Sequence, residues 1–268
     1  MTASWLGRSA RETAAGARLF CFAHAGGGAA FFHPWRAGLL PDVEVCPVTL
    51  PGREARAGER AATRMDEVVD PVTQALASLT DRPYAVFGHS MGAAVAYEVA
   101  RRLESSGVPG PRCLFVSGRR APHLPSRRPP LHGLPDQELL SAVAELNGTP
   151  DGVLRHDDLL RLFLPTLRAD FALNETYRPL PGTALRCAVS SLTGDADPQV
   201  DLDEIAGWRA VTSGAFTLRV FRGEHFYLKG APPEVVAAVR SDLRRYLGPV
   251  LHRLPGAQFW AEHPPGSG

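Results

Sequence analysis

With 268 residues, 44% of them hydrophobic and 21% charged, the chain can bury a sizeable core and is neither disordered nor fibrous in composition. Its 29 Lys+Arg against 28 Asp+Glu leave a net charge of +1, which gives no electrostatic reason to expect nucleic acid or an anionic membrane as partner. No run reaches the ~18 to 20 apolar residues of a membrane span, and residues 1–16 carry no signal-peptide stretch, so a cytoplasmic protein is expected.

After an N-terminal extension (1–16), short apolar runs recur along the chain: Ala17 to Ala23, Val43 to Leu50, Tyr84 to Gly88, Arg112 to Ser117, Leu185 to Thr193 and Thr217 to Phe221. Each predicts a buried strand. The widely spaced Cys21, Cys46, Cys113 and Cys187 fall inside or beside these runs, which predicts reduced core cysteines rather than a disulfide framework. Between strands lie helical patterns. Asp70-Pro71 reads as the cap and first residue of a helix running to Leu79, with Met65 to Val69 left open as part of it, Met91 to Leu103 forms a second, and Pro233 to Leu247 closes the chain. Alternation of this kind implies a mostly parallel sheet with helices on both faces. From Ala121 to Ala184 no strand pattern occurs, although Gln137 to Leu146 and Asp157 to Tyr177 have helical periodicity; prolines 122, 125, 129 and 130 open this interval, and Pro179 and Pro181 close it. The expected organisation is an α/β core at 17–120 and 185–250, a helical lid at 121–184, and a partly disordered tail at 251–268.

The chemistry centres on Gly88-His89-Ser90-Met91-Gly92. A nucleophilic serine needs a strained turn that exposes its Oγ, and Gly-x-Ser-x-Gly supplies it. Chance alone would place such a motif in about one sequence in eight of this composition, so its context decides. Here an apolar strand, Tyr84 to Phe87, precedes it and a helix start lined with small residues, Met91 to Tyr97, follows. In the α/β-hydrolase arrangement the acid and then the base follow the serine, each after a late strand. His225, in Gly223-Glu224-His225-Phe226-Tyr227, is the base this order selects. Asp195 and Asp197 both follow the preceding strand; Asp197 is preferred because a residue before proline is held extended. The expected oxyanion donors are the amides of Met91 and of Ala25, in the loop His24-Ala25-Gly26-Gly27-Gly28. That loop has neither Gly-x-Gly-x-x-Gly nor a Walker lysine, which disfavours phosphate binding there. His24 and His89 are read as positioning or packing residues. No Cys/His cluster has ligand spacing, so no metal and no other cofactor is expected.

Taken together, Cys21-Phe22-Ala23-His24-Ala25-Gly26-Gly27, Leu50-Pro51-Gly52-Arg53, the Ser90 elbow, Val116-Ser117-Gly118-Arg119-Arg120-Ala121-Pro122, Gly194-Asp195-Ala196-Asp197-Pro198 and Gly223 to Leu228 resemble the stand-alone type II thioesterases of modular polyketide and nonribosomal peptide synthases. The resemblance runs from about Ala17 to Leu247 and departs at Ala23, where many relatives carry proline. It implies the α/β-hydrolase fold, the same Ser90, Asp197 and His225 set, and an editing enzyme that removes stalled acyl groups from the phosphopantetheine arm of acyl or peptidyl carrier proteins. The lid would form an acyl chamber. His24, Phe31, Phe32 and Trp35 are candidates for the acyl or arm entrance, and Arg119, Arg120, Arg127 and Arg128 for contact with the acidic carrier or the arm's phosphate, against the plainer readings of core aromatics and solvated charges. No Asp-Ser attachment dipeptide is present, so the carrier is a separate partner, and the enzyme is expected to act as a monomer. Three alternatives share the fold: a general carboxylesterase or lipase, a non-catalytic binding protein, and a cyclising thioesterase, the last disfavoured because Met1 begins so near the first strand.

Overall fold

The computed structural model of the protein describes residues 5–6, 15–145, 157–179 and 182–251. Most of the expected N-terminal extension, Pro181 at the expected end of the lid, and the tail beyond residue 251 lie outside the described residues. Strands β1 (Ala17–Phe22), β2 (Val43–Pro47), β3 (Tyr84–His89), β4 (Cys113–Ser117), β5 (Ala188–Gly194) and β6 (Phe216–Phe221) form one six-stranded sheet in the order β2-β1-β3-β4-β5-β6. Every neighbouring pair is parallel. Strands β1 to β5 are buried along their whole length, as continuous apolar runs in a sheet covered on both faces should be; β6, at the edge, alternates in exposure.

The pleat sorts alternate residues to two cores. On one face Phe20, Phe22, Val86, Leu114 and Val116 pack under helices α2 (Met65–Ala77) and α3 (Met91–Ser105). On the other, Leu19, Cys21, Phe87 and Phe115 meet α1 (Trp35–Leu39) and the closing helix α7 (Pro233–Leu251). All four cysteines are buried and unpaired. Among the described residues no helix is long and apolar enough to cross a membrane.

Helix α2 corrects the sequence reading. It begins at Met65, and Pro71 lies inside it. Asp66 and Glu67 occupy the first turn, where the helix dipole favours acids, and the Glu67 carboxylate accepts a bond from the Thr63 amide at 2.9 Å. Burial of Val68, Val69 and Val72 on a single helical face outweighs the bond Pro71 cannot donate. β2 is shorter than its apolar run: Val48 still donates to Cys21 O of β1 at 2.8 Å but bridges Leu6 antiparallel.

Between β4 and β5 the described residues form α4 (Asp136–Glu145) and α5 (Asp157–Thr176). Leu139 and Val143 from α4 pack on Leu167 and Phe171 of α5, with Ala25 against the same cluster. A short α6 (Leu202–Ala206), capped reciprocally by Asp201 and Glu204, lies between β5 and β6. The strand order reverses between β1 and β3, so a crevice opens at their carboxyl ends.

Candidate active site

Both central loops of the site leave strands at that crevice. Ser90 follows β3 with φ 54 and ψ −118, a left-handed conformation costly for a side-chain-bearing residue, and its amide donates to Ser117 O at 2.8 Å. The turn is tight enough that a Cβ on Gly88 would overlap the Gly92 carbonyl, and one on Gly92 would overlap the carbonyls of Phe22 and Ala23. Helix α3 starts at Met91, so the Met91 amide has no acceptor within the helix.

The loops after β5 and β6 meet each other. A Cβ on Gly194 would overlap the Gly223 carbonyl, Asp195 N donates to Phe221 O at 2.8 Å, and Ala196 N donates to Gly223 O at 3.0 Å. This pairing separates the two acid candidates. Asp195 turns back and accepts the Gly223 amide at 2.9 Å. Asp197 faces His225, whose Nδ1 lies 2.9 and 3.0 Å from its two carboxylate oxygens. Neither group of that pair is solvated, with side chains 5% and 0% exposed. A bond from Gln199 N at 2.7 Å holds the carboxylate in place. Nδ1 is thereby committed, and Nε2 is the ring nitrogen left for a reactant.

Around His225 stands an aromatic box. Its ring is 4.9 Å from that of His89 and 5.1 Å from Phe226, while His24 packs against Phe31 at 4.8 Å and Phe226 at 4.7 Å. Burial, with repulsion from His225 and Arg53, pulls the His24 pKa down to about 3. Burial likewise takes His89 well below its ordinary range. Both rings are neutral at physiological pH. His89 Nδ1 is tied to Ser117 Oγ at 2.9 Å, which in turn bonds the Tyr227 hydroxyl at 2.6 Å. Phe31 belongs to the box. For Phe32 and Trp35 the core reading holds over the entrance one: both are 0% exposed, with Phe32 wedged against Trp35 and Phe87.

The glycine loop after β1 is gripped by two residues that sequence reading did not single out for a role there. Asp170, on α5, accepts the Gly26 amide at 2.7 Å. Arg53 donates to the same carboxylate from both terminal nitrogens, at 2.7 and 2.6 Å, and to the Gly27 carbonyl at 2.8 Å. Asp170 is 1% exposed and Arg53 9%. The one available signal was an acid at a helix position flanked by the apolar Leu167, Ala169, Phe171 and Leu173. With Gly27 N donating to His24 O at 2.9 Å, the Gly26 and Gly27 amides are both spoken for, and Ala25 sits just before them. Of the four arginines considered for carrier contact, Arg119 is buried, Arg120 half-buried, Arg127 pairs with Asp201 at 2.6 Å and Arg128 is exposed.

A model of the thioesterase domain family matches residues 17–243. The chain is 42% identical over 240 residues to the thioesterase PikA5 of Streptomyces venezuelae, covering 89% of this chain and 85% of that protein. It is 41% identical over 247 residues to a probable cadicidin biosynthesis thioesterase of Streptomyces griseus, covering 92% and 67%. Among solved structures it is similar to the type II thioesterase BorB from the borrelidin biosynthetic cluster, with TM-score 0.80, 40% identity, and coverage of 91% and 98%.

Proposed function

The chain belongs to the thioesterase domain family and is a thioester hydrolase, and from that premise we propose that it edits polyketide or nonribosomal peptide assembly, cleaving stalled acyl groups from the phosphopantetheine arm of carrier proteins. The observation that carries the chemistry is the closed His225–Asp197 pair beside a strained serine elbow. His225 Nε2 takes the Ser90 proton as Oγ attacks the thioester carbonyl, and the proton passes to the departing thiol. Asp197 orients the ring and stabilises the imidazolium without taking the proton. The developing oxyanion is met by the Met91 amide, free of a helical acceptor, and by the Ala25 amide. Water, activated by His225, then releases the acid from Ser90. The pathway assignment is supported by the relative named as a probable cadicidin biosynthesis thioesterase, by the similar type II thioesterase from the borrelidin biosynthetic cluster, and by the packing of α4 and α5 on Ala25 of the glycine loop.

The test is a panel of acyl-loaded carrier proteins and the matching acyl-CoA thioesters, assayed with wild type and Ser90→Ala. Carrier-bound substrates should be preferred, and Ser90→Ala should lose on the order of 10⁴-fold or more in kcat. Equal rates on CoA and carrier substrates would remove the carrier partner. Simple aryl esters turned over far faster than either would favour the general carboxylesterase, and full activity of Ser90→Ala would remove the mechanism.

A further inference from the structure

Arg119 lies just beyond β4 with only 6% of its surface exposed. Its Nη1 donates to Asn174 Oδ1 on α5, its guanidinium stands 5.8 Å from the Tyr177 ring centroid, and its buried Nε has no hydrogen-bond partner. None of these partners is an acid. Guanidinium keeps its charge inside proteins, and a buried cation without a counter-charge is costly. Burial, with repulsion from Arg120, pulls the Arg119 pKa down to about 10, still protonated at neutral pH. Tyr177 is no counter-ion, since burial and the adjacent Glu98 push its hydroxyl well above the ordinary range.

The nearby carboxylates are committed elsewhere. Glu204 attracts Arg120 but accepts the Asp201 amide and pairs with Arg127 at 3.4 Å, Glu98 holds Arg101 and the Tyr177 hydroxyl, and Glu175 accepts the Leu131 and His132 amides. Two further guanidiniums converge on the same place. Arg120 spends its Nε on the Leu124 carbonyl, and Arg178 donates to the carbonyls of Glu175 and Tyr177. Arg119, Arg120 and Arg178 line one cavity of about 270 Å³ with Ser126, prolines and, among the described residues, no acid.

We infer that this cavity is a phosphate site, in which the guanidiniums of Arg119, Arg120 and Arg178 hold the oxygens of one phosphoryl group. A planar carboxylate offers two oxygens in one plane, whereas the tetrahedral group presents an oxygen to each of the converging forks. The group comes either from free phosphate or from the phosphate of a pantetheine arm. The second source rests on the function proposed above; the site itself does not.

The experiment is calorimetric titration of the full chain carrying Ser90→Ala, so that binding is read without turnover, using inorganic phosphate, phosphopantetheine, pantetheine and acetate. Phosphate and phosphopantetheine should bind, and Arg120→Gln and Arg178→Gln should each weaken both by about tenfold or more, as loss of a charge-assisted bond predicts. Pantetheine and acetate should not displace phosphate. Tighter binding of phosphopantetheine than of phosphate identifies the arm as the source, and equal binding identifies the free ion; both support the site. Absence of phosphate binding, affinity unaffected by either substitution, or equal competition by acetate would overturn it. None of these readouts depends on whether Ser90 is the nucleophile, so this inference and the proposed function fail separately.

Discussion

Substituting Asp170 by Asn changes almost no volume but should damage both stability and rate. The carboxylate accepts from Gly26 N at 2.7 Å and from Arg53 at 2.7 and 2.6 Å, in a place where it is 1% exposed. An asparagine has one acceptor oxygen. Whichever way it is turned, its NH₂ faces an N–H donor, either Arg53 Nη2 or the pair formed by Gly26 N and Arg53 Nη1. The buried Arg53 charge also loses its counter-ion, and breaking a buried ion pair from one side costs about 3–5 kcal/mol. We expect urea unfolding to report a loss of about that size. The kinetic effect follows from the loop: Gly26 adjoins Ala25, so a displaced loop weakens the oxyanion donor proposed at Ala25, and complete loss of such a donor is worth about 10²–10³ in kcat. Partial displacement should therefore lower kcat about ten- to hundredfold, with KM for an acyl-CoA substrate little changed. The double variant Arg53→Met/Asp170→Leu separates the effects, because apolar replacement of a buried pair is often neutral or stabilising. It should recover stability but not kcat, since nothing then accepts the Gly26 amide. If Asp170→Asn unfolds within about 1 kcal/mol of wild type and keeps its kcat within about twofold, the pair is neither energetically coupled nor a positioner of the loop.

The two acids of the β5 loop should behave differently: Asp197→Asn should reduce kcat by about 10⁴-fold, the scale of losing the partner of a catalytic histidine. Asp195→Asn, which weakens one bond to Gly223, should cost about 1 kcal/mol of stability and much less rate; equal kinetic losses would refute the assignment. Gly92→Ala puts a methyl group onto backbone that cannot yield, the carbonyls of Phe22 and Ala23, and should destabilise by about 3 kcal/mol or more; an unchanged Tm would contradict the packing. His24 has a folded pKa of about 3 against an ordinary 6.5, so the unfolded chain binds the extra proton between those values. Its contribution to stability is present above pH 6.5 and is lost as pH falls toward 3. His24→Phe should flatten the fall in stability over that window, and a slope unchanged from wild type would show that His24 is not held neutral.

Local order along the chain made much of the molecule legible. Strand positions followed from apolar runs because a parallel sheet covered on both faces demands them, and the Ser90 elbow was readable because its strand, turn and helix are contiguous. The start of α2 was misread because Pro71 is a strong local signal, whereas the helix is held by the burial of Val68, Val69 and Val72. Phe32 stayed open between entrance and core for a different reason. An aromatic near a loop reads the same whether it faces the crevice or the core, and its contacts with Trp35 and Phe87 are tertiary.

By itself, the sequence determined the class of fold, the order of nucleophile, acid and base candidates, and the family, because each rests on short motifs or on periodicity along one stretch of chain. Only the tertiary structure decided that Asp197 rather than Asp195 meets His225, through the hydrogen bonds between the β5 and β6 loops. It alone joined Arg53 to Asp170 and left Arg119 beside a cavity with no acid among the described residues. Those pairings depend on how distant segments are brought together by packing, and no pattern along the chain encodes the distance between them.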